Sequence, residues 1–457
     1  MAGLFGPHAR NQEVELSPLK SRRRAGAERS GGGGAAAQRA GNAARPHIVS
    51  ELERLLRTPG CPACRYIDES ERSFFSWLEI ESFSVAEVQA RVRAAMGMCP
   101  AHSRRLVDEF GEGHVMTIVM REALAGARLC VRDELVPGPC PACDAVAFGT
   151  QRACQMIVDA VSDPVRGRLF FEHGGICLVH FLDAAPVLEP TALKLLADRL
   201  LRTLLESEGS VLVEMLGGVD PDAQRRARWR ALLPEPPGAS STLDEVCARF
   251  EIDACPVCLS TGLVEREYLR WHVERTAQND PSLRNDPGEL CARHLHDLAF
   301  ADAVLAAQAT ERKRAAGISK LTRLDETPAT GRDGLLTTPY CPACNAHDGI
   351  ERSQLDFVAA SLALSSARER YERGHGLCVH HSRQVPDGPA ARLARRHLDG
   401  RLGVLAWEVG EIARKYAWAY RHERDGHERN AWLRALAQID GRVFEGGPAP
   451  TRAPERA

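Results

Sequence analysis

Apolar residues recur three and four positions apart through long stretches of this chain, the period of α-helices with one buried face. Leu193, Leu196, Leu200 and Leu204 form one such stripe, and Phe74 with Trp77 and Tyr268 with Trp271 repeat the spacing in aromatic form. Strand-helix-strand units are absent, so the predicted class is all-α. The helical runs break at Ser84, at Ser162-Asp163-Pro164, at Asn279-Asp280-Pro281 and at Ser365. No stretch approaches a membrane-spanning length of apolar residues, and Arg22 to Arg24 followed by Gly31 to Gly34 give no secretory h-region. Membrane insertion and export are therefore not expected, and the expected location is the cytoplasm.

Self-comparison exposes a fourfold repeat. Cys-Pro-x-Cys occurs at Cys61 and Cys64, Cys140 and Cys143, Cys255 and Cys258, and Cys341 and Cys344. Each copy is followed, after 34, 33, 32 and 33 residues, by Cys-x-x-His: Cys99 and His102, Cys177 and His180, Cys291 and His294, Cys378 and His381. Four occurrences at so constant an offset exclude chance. In copies one, three and four a Glu-Arg pair stands ten residues after the first cysteine (Glu71, Glu265, Glu351), where copy two has Thr150-Gln151. Trp229 and Trp432, each before an Arg-Ala-Leu element, lie at matching distances beyond His180 and His381. The chain thus divides into two tandem halves, 48–236 and 242–443, joined by a Pro-rich linker at 237–241.

Proline after the first cysteine suits the first turn of a helix, with that cysteine at the cap. Each motif then predicts a long helix, a turn, a short helix and a new helix starting at Cys-x-x-His. Gly97, Gly175 and Gly376, two residues before the third cysteine, are placed for left-handed caps, while Gly288 is displaced by one. On this reading each chain segment returns to its own beginning, and the four ligands of one motif surround one ion.

Three thiolates and one imidazole suit zinc, and four protein ligands leave no open position for a substrate. The expected cofactor is Zn2+, about four per chain, held by structural sites at helix starts, where dipoles favour thiolates. An iron-sulfur cluster with a histidine ligand is the second candidate. A thioredoxin-type redox pair would need strands around it. His380 adjoins His381; alignment with the other copies favours His381 as the fourth ligand, with His380 as the alternative. Cys130, Cys154 and Cys247 fall outside the pattern and are expected as small buried hydrophobes.

Composition adds limits. The 457 residues carry 59 Lys and Arg against 61 Asp and Glu, and three thiolates per Zn2+ make each site about −1, so nucleic acid is a disfavoured partner. Lys415, Tyr416, Trp418, Tyr420, Arg421 and Arg424 mix bases with aromatics; the preferred reading is a helix with its aromatic face in the core. Residues 1–47 and 444–457 are expected to be disordered tails. No nucleotide-binding, serine-hydrolase or metalloprotease motif occurs, so no catalytic residue is assigned.

The segments Cys61-Pro-Ala-Cys64, Gly97-Met98-Cys99-Pro100-Ala101-His102 and Gly175-Ile176-Cys177-Leu178-Val179-His180-Phe181 resemble an uncharacterised bacterial domain-of-unknown-function family, matched once by each half. The resemblance implies a helical metal-binding fold and no activity. Function therefore reads as a non-enzymatic zinc-stabilised interaction module with protein partners. The alternatives are a thiol redox sensor that releases zinc on oxidation and a nucleic-acid-binding regulator.

Overall fold

The computed structural model describes residues 53–81, 85–111, 113–173, 175–231, 247–278, 289–326 and 341–441, and among these no strand occurs. The tails at 1–47 and 444–457, the linker at 237–241 and Gly288 lie outside the described residues. The first half runs α1 (Pro62–Glu81), α2 (Ala86–Ala94), α3 (Pro100–Phe110), α4 (His114–Val131), α5 (Pro141–Ser162), α6 (Pro164–Glu172), α7 (Leu178–Ala184), α8 (Pro190–Glu206), α9 (Gly209–Gly217) and α10 (Ala223–Ala231). The second runs α11 (Pro256–Ala277), α12 (Ala292–Ala301), α13 (Ala303–Glu326), α14 (Pro342–Ser361), α15 (Ser365–Arg373), α16 (Val379–Gln384), α17 (Pro389–Tyr416) and α18 (Ala431–Asp440).

The local rules hold closely. Every Cys-Pro-x-Cys proline is the first residue of a long helix, and every Cys-x-x-His cysteine precedes the first residue of another. Asp163 caps α6 by accepting from the backbone N–H groups of Val165 and Arg166. Gly97, Gly175 and Gly376 take the left-handed conformation expected of them, with φ of +100°, +80° and +74°. Leu193, Leu196, Leu200 and Leu204 are buried in one stripe, and Cys130, Cys154 and Cys247 are buried as expected.

Within each half the two long helices pack antiparallel. Gly149 of α5 lies against Ser70 and Ile67 of α1, while Cys154 further along α5 lies close enough to Cys61 for their charges to interact. In the second half Ser260 near the start of α11 bonds Gln354 well along α14, at 3.2 Å.

The two halves, tandem units joined by a Pro-rich linker in sequence, do not form separate cores. One core combines Met116, Val119 and Leu124 of α4 with Leu398, Leu402 and Leu405 of α17 and Trp432 and Leu436 of α18. These helices run antiparallel, with Arg128 and Arg132 reaching Asp399 at 3.3 and 3.0 Å and His114 against Tyr416 at the far end. A second core joins Phe170, Phe181 and Leu196 of the first half to Leu295, Leu298 and Leu305 of the second. A buried ion network crosses as well: Arg226 of α10 holds Asp222 at 3.2 Å and the fully buried Asp297 of α12 at 2.7 Å. Hydrophobic stripes carry no record of which partner they meet, and here each half completes the other.

The run from Lys415 to Arg424 also departs from its expectation. Tyr416, Trp418 and Tyr420 are exposed rather than packed in the core, and the Arg421 guanidinium stacks on the Trp418 ring at 3.1 Å from its centroid. Helix α17 ends at Tyr416, so these aromatics leave the helical face that would have buried them.

Candidate metal centres

All sixteen cysteine and histidine positions assigned from the sequence converge in four Cys3His groups, but with exchanged partners. Cys61 and Cys64 meet Cys177 and His180; Cys140 and Cys143 meet Cys99 and His102. The second half repeats the exchange: Cys255 and Cys258 meet Cys378 and His381, and Cys341 and Cys344 meet Cys291 and His294. The chain does not return to its own beginning. A helix of 20 residues, such as α1, advances about 30 Å, and the nine residues of α2 recover less than half of that. Antiparallel packing supplies the missing ligands, because the start of each long helix lies beside the end of its partner. The Cys-x-x-His that follows that partner then closes the site.

The separations define the cavity between the ligands. Cys64 and Cys177 sulfurs are 3.8 Å apart, Cys99 and Cys143 3.6 Å, Cys258 and Cys378 3.9 Å, and Cys291 and Cys344 3.9 Å. Imidazole Nδ1 lies 3.2 to 3.3 Å from Cys177 and Cys64 at His180, and 3.2 Å from both Cys258 and Cys378 at His381. At His102 the distances to Cys99, Cys143 and Cys140 are 3.1, 3.4 and 3.5 Å, and at His294 those to Cys341, Cys291 and Cys344 are 3.2, 3.3 and 3.5 Å. A disulfide would need sulfurs about 2.05 Å apart. A tetrahedron with metal-sulfur bonds of about 2.3 Å and metal-nitrogen bonds of about 2.0 Å has edges of about 3.8 and 3.5 Å. The sulfur-sulfur separations match the first edge, and the nitrogen-sulfur separations lie at or slightly inside the second. His381 faces the sulfurs, whereas His380 is largely exposed and turns to Glu351 and Gln384, which decides between the two.

The repeated Glu of the sequence finds its use at the other ring nitrogen. Nε2 of His102 lies 3.4 Å from Glu71, Nε2 of His294 2.6 Å from Glu265, and Nε2 of His381 2.9 Å from Glu351. Each carboxylate accepts from Nε2–H, fixing the tautomer that presents Nδ1 to the sulfurs. Glu71 is itself held by buried Arg105 at 2.9 Å, and Glu265 by Arg293 at 2.7 Å. The second copy, with Thr150-Gln151, gives His180 no such carboxylate among the described residues. The arginines that follow the glutamates point elsewhere: Arg72, for one, pairs with Asp68 on the surface.

Charge in the sites is arranged around the sulfurs. The hydrogen bond with Cys140, helped by His102, pulls Cys99 down to about 3, and the bond with Cys291 does the same for Cys341. Burial opposes charge on His102, yet its bonds to Cys99 and Glu71 lift it to about 9. Burial raises Cys143 and Cys344 to about 11. Without a cation one thiol per site is favoured as thiolate; a divalent ion would supply the charge to hold all three, releasing protons as it bound.

Two glycines that the sequence did not single out seal the sites nearest the core. Gly218, with φ +72°, brings its backbone over Cys64 and Cys177, and the next N–H, of Val219, donates to Cys64 at 3.4 Å. Gly441, with φ +75°, ends α18 directly over Cys258 and Cys378. They do not occupy matching sequence positions, so self-comparison could not reveal them. A Cβ at 441 would lie 3.0 Å from Cys378 Cβ and closer still to both sulfurs, whereas one at 218 would meet sulfurs at 3.5 and 3.7 Å. Gly441→Ala should therefore purify with one metal fewer than the parent protein. Gly218→Ala should keep its metals and lose about 1–2 kcal/mol of stability through backbone strain alone. Metal analysis and denaturant titration of the two variants check the contrast.

Comparison with family models, curated proteins and solved structures finds no match to this chain.

Proposed function

We propose that this chain is a non-enzymatic helical scaffold stapled by four zinc ions, which presents its surfaces to protein partners. The observation that carries the reading is the gathering of the ligand atoms: three sulfurs and one nitrogen within 4.8 Å of one another, repeated at four places, as a tetrahedral zinc site requires. Four protein donors complete each coordination shell, so the ion has a structural task and no vacant position for chemistry. Soft thiolate donors favour zinc over calcium, magnesium or manganese. The carboxylates behind His102, His294 and His381 orient ligands in the manner of permanent metal sites. No helix among the described residues is long and apolar enough to cross a membrane.

Metal analysis of protein purified without chelators should find close to four zinc ions per chain and little iron. Fewer than two, or an iron-rich brown protein, would overturn the reading. A second reading, the thiol sensor, draws support from one observation: Cys143 and Cys344, matching positions in the two halves, are exposed. It requires rapid, reversible zinc loss on treatment with peroxide.

A further inference from the structure

We propose that the groove between α15, α17 and α18 is a binding site for a phosphoryl anion, separate from the metal centres. The groove has a volume of about 480 Å³ and is walled by Arg396, Arg401 and Arg434, with Glu372 as the acid among its lining residues. Two of the three guanidiniums are incompletely neutralised. Arg396 is exposed and has no ion-pair or hydrogen-bond partner among the described residues. Arg401 is held by neutral acceptors, Gln438 at 3.2 Å and the Gly374 carbonyl at 3.3 Å, and its nearest carboxylate, Asp253, stands 3.9 Å away and is shared with His375. Arg434 alone has a close carboxylate, Glu408 at 2.8 Å.

Burial, and the charge of Arg434 beside it, outweigh the support that Asp253 and Glu408 give the Arg401 cation. An anion in the groove would add to that support. Guanidinium forks match phosphoryl oxygens geometrically and bind them bidentately. The groove also has room where the charges converge. Gly400 lies one helical turn from Arg396 and adjoins Arg401, and a Cβ there would meet nothing within 4 Å, so open space faces the backbone between them. Leu393 and Val404 at the two ends of the groove offer apolar contact to whatever carries the anion. The floor is rigid: the His397 ring packs against Tyr371 at 5.1 Å and occupies the space a side chain at 376 would need.

Titration of the zinc-loaded full-length chain with inorganic phosphate, a nucleoside diphosphate and a phosphoserine peptide, at constant ionic strength, tests the site by calorimetry. Saturable binding of at least one probe is expected, and the tightest of the three names the source of the phosphoryl group. Arg396→Gln and Arg401→Gln should each weaken it by about tenfold or more. Gly400→Leu removes no charge and replaces glycine by a better helix former, so it should fold at least as well while filling the groove and abolishing binding. Arg202→Gln, on the exposed face of α8, should bind as the parent does. Absence of saturable binding by all three probes, or binding that survives Gly400→Leu, would overturn the proposal.

Discussion

Cys177→Ser should remove most of the stability of the whole chain, in both halves at once. Cys177 is fully buried and belongs to the site whose four ligands are all buried. A structural zinc contributes on the order of 10 kcal/mol or more, comparable to the roughly 5–15 kcal/mol stability of a domain. Loss of that site frees α7 from α1, and α7 supplies Phe181 to the core that also contains Leu295, Leu298 and Leu305 of the second half. Hydrogen exchange on the variant should show protection lost in 178–206 and also in 292–326. Loss confined to residues 53–231 would contradict the shared core and restore two independent halves.

Alkylation should release the metals in two groups. Cys143 and Cys344 are exposed, and each lies in a site with at least one further ligand half-exposed, Cys99 and Cys140 in one and Cys291 in the other. In the two remaining sites every cysteine is buried except the half-buried Cys258, and Gly218 and Gly441 cover the sulfurs in part. Iodoacetamide should therefore label Cys143 and Cys344 first and free two zinc ions per chain in a fast phase. The other two should follow at least about a hundredfold more slowly, because reaching their sulfurs requires local opening that costs several kcal/mol. A zinc-sensitive dye with mass mapping of the labelled cysteines checks this. One phase releasing all four would sink the distinction between sealed and open sites. If peroxide produces the same fast phase and reductant reverses it, the sensor reading gains and the purely structural one fails for those two sites.

The difference between sealed and open sites follows from the fold, and neither motif nor spacing distinguishes them. All four motifs read Cys-Pro-x-Cys and Cys-x-x-His with nearly equal gaps. Position within the bundle sets their exposure: in each half the first Cys-Pro-x-Cys and the second Cys-x-x-His meet under a glycine, while the other combination faces outward.

What the residues determined alone was local chemistry. Thiolate and imidazole types named the donors, proline after cysteine named the helix starts, and glycine two residues before a cysteine named left-handed turns, because each depends on a few neighbouring bonds. The repeated glutamate was visible as a pattern, and its task became legible only when α1, α11 and α14 placed Glu71, Glu265 and Glu351 behind the histidines. Tertiary structure decided the rest. Which ligand pairs meet depended on antiparallel helices lying side by side; which cores form depended on stripes that fit several partners equally well in sequence. The pairing was half within reach, since 1.5 Å of rise per residue already shows that α2 is too short to carry His102 back to Cys61. Gly218 and Gly441 were beyond reach, because close approach of a backbone to a distant sulfur leaves no periodic or local mark in the chain.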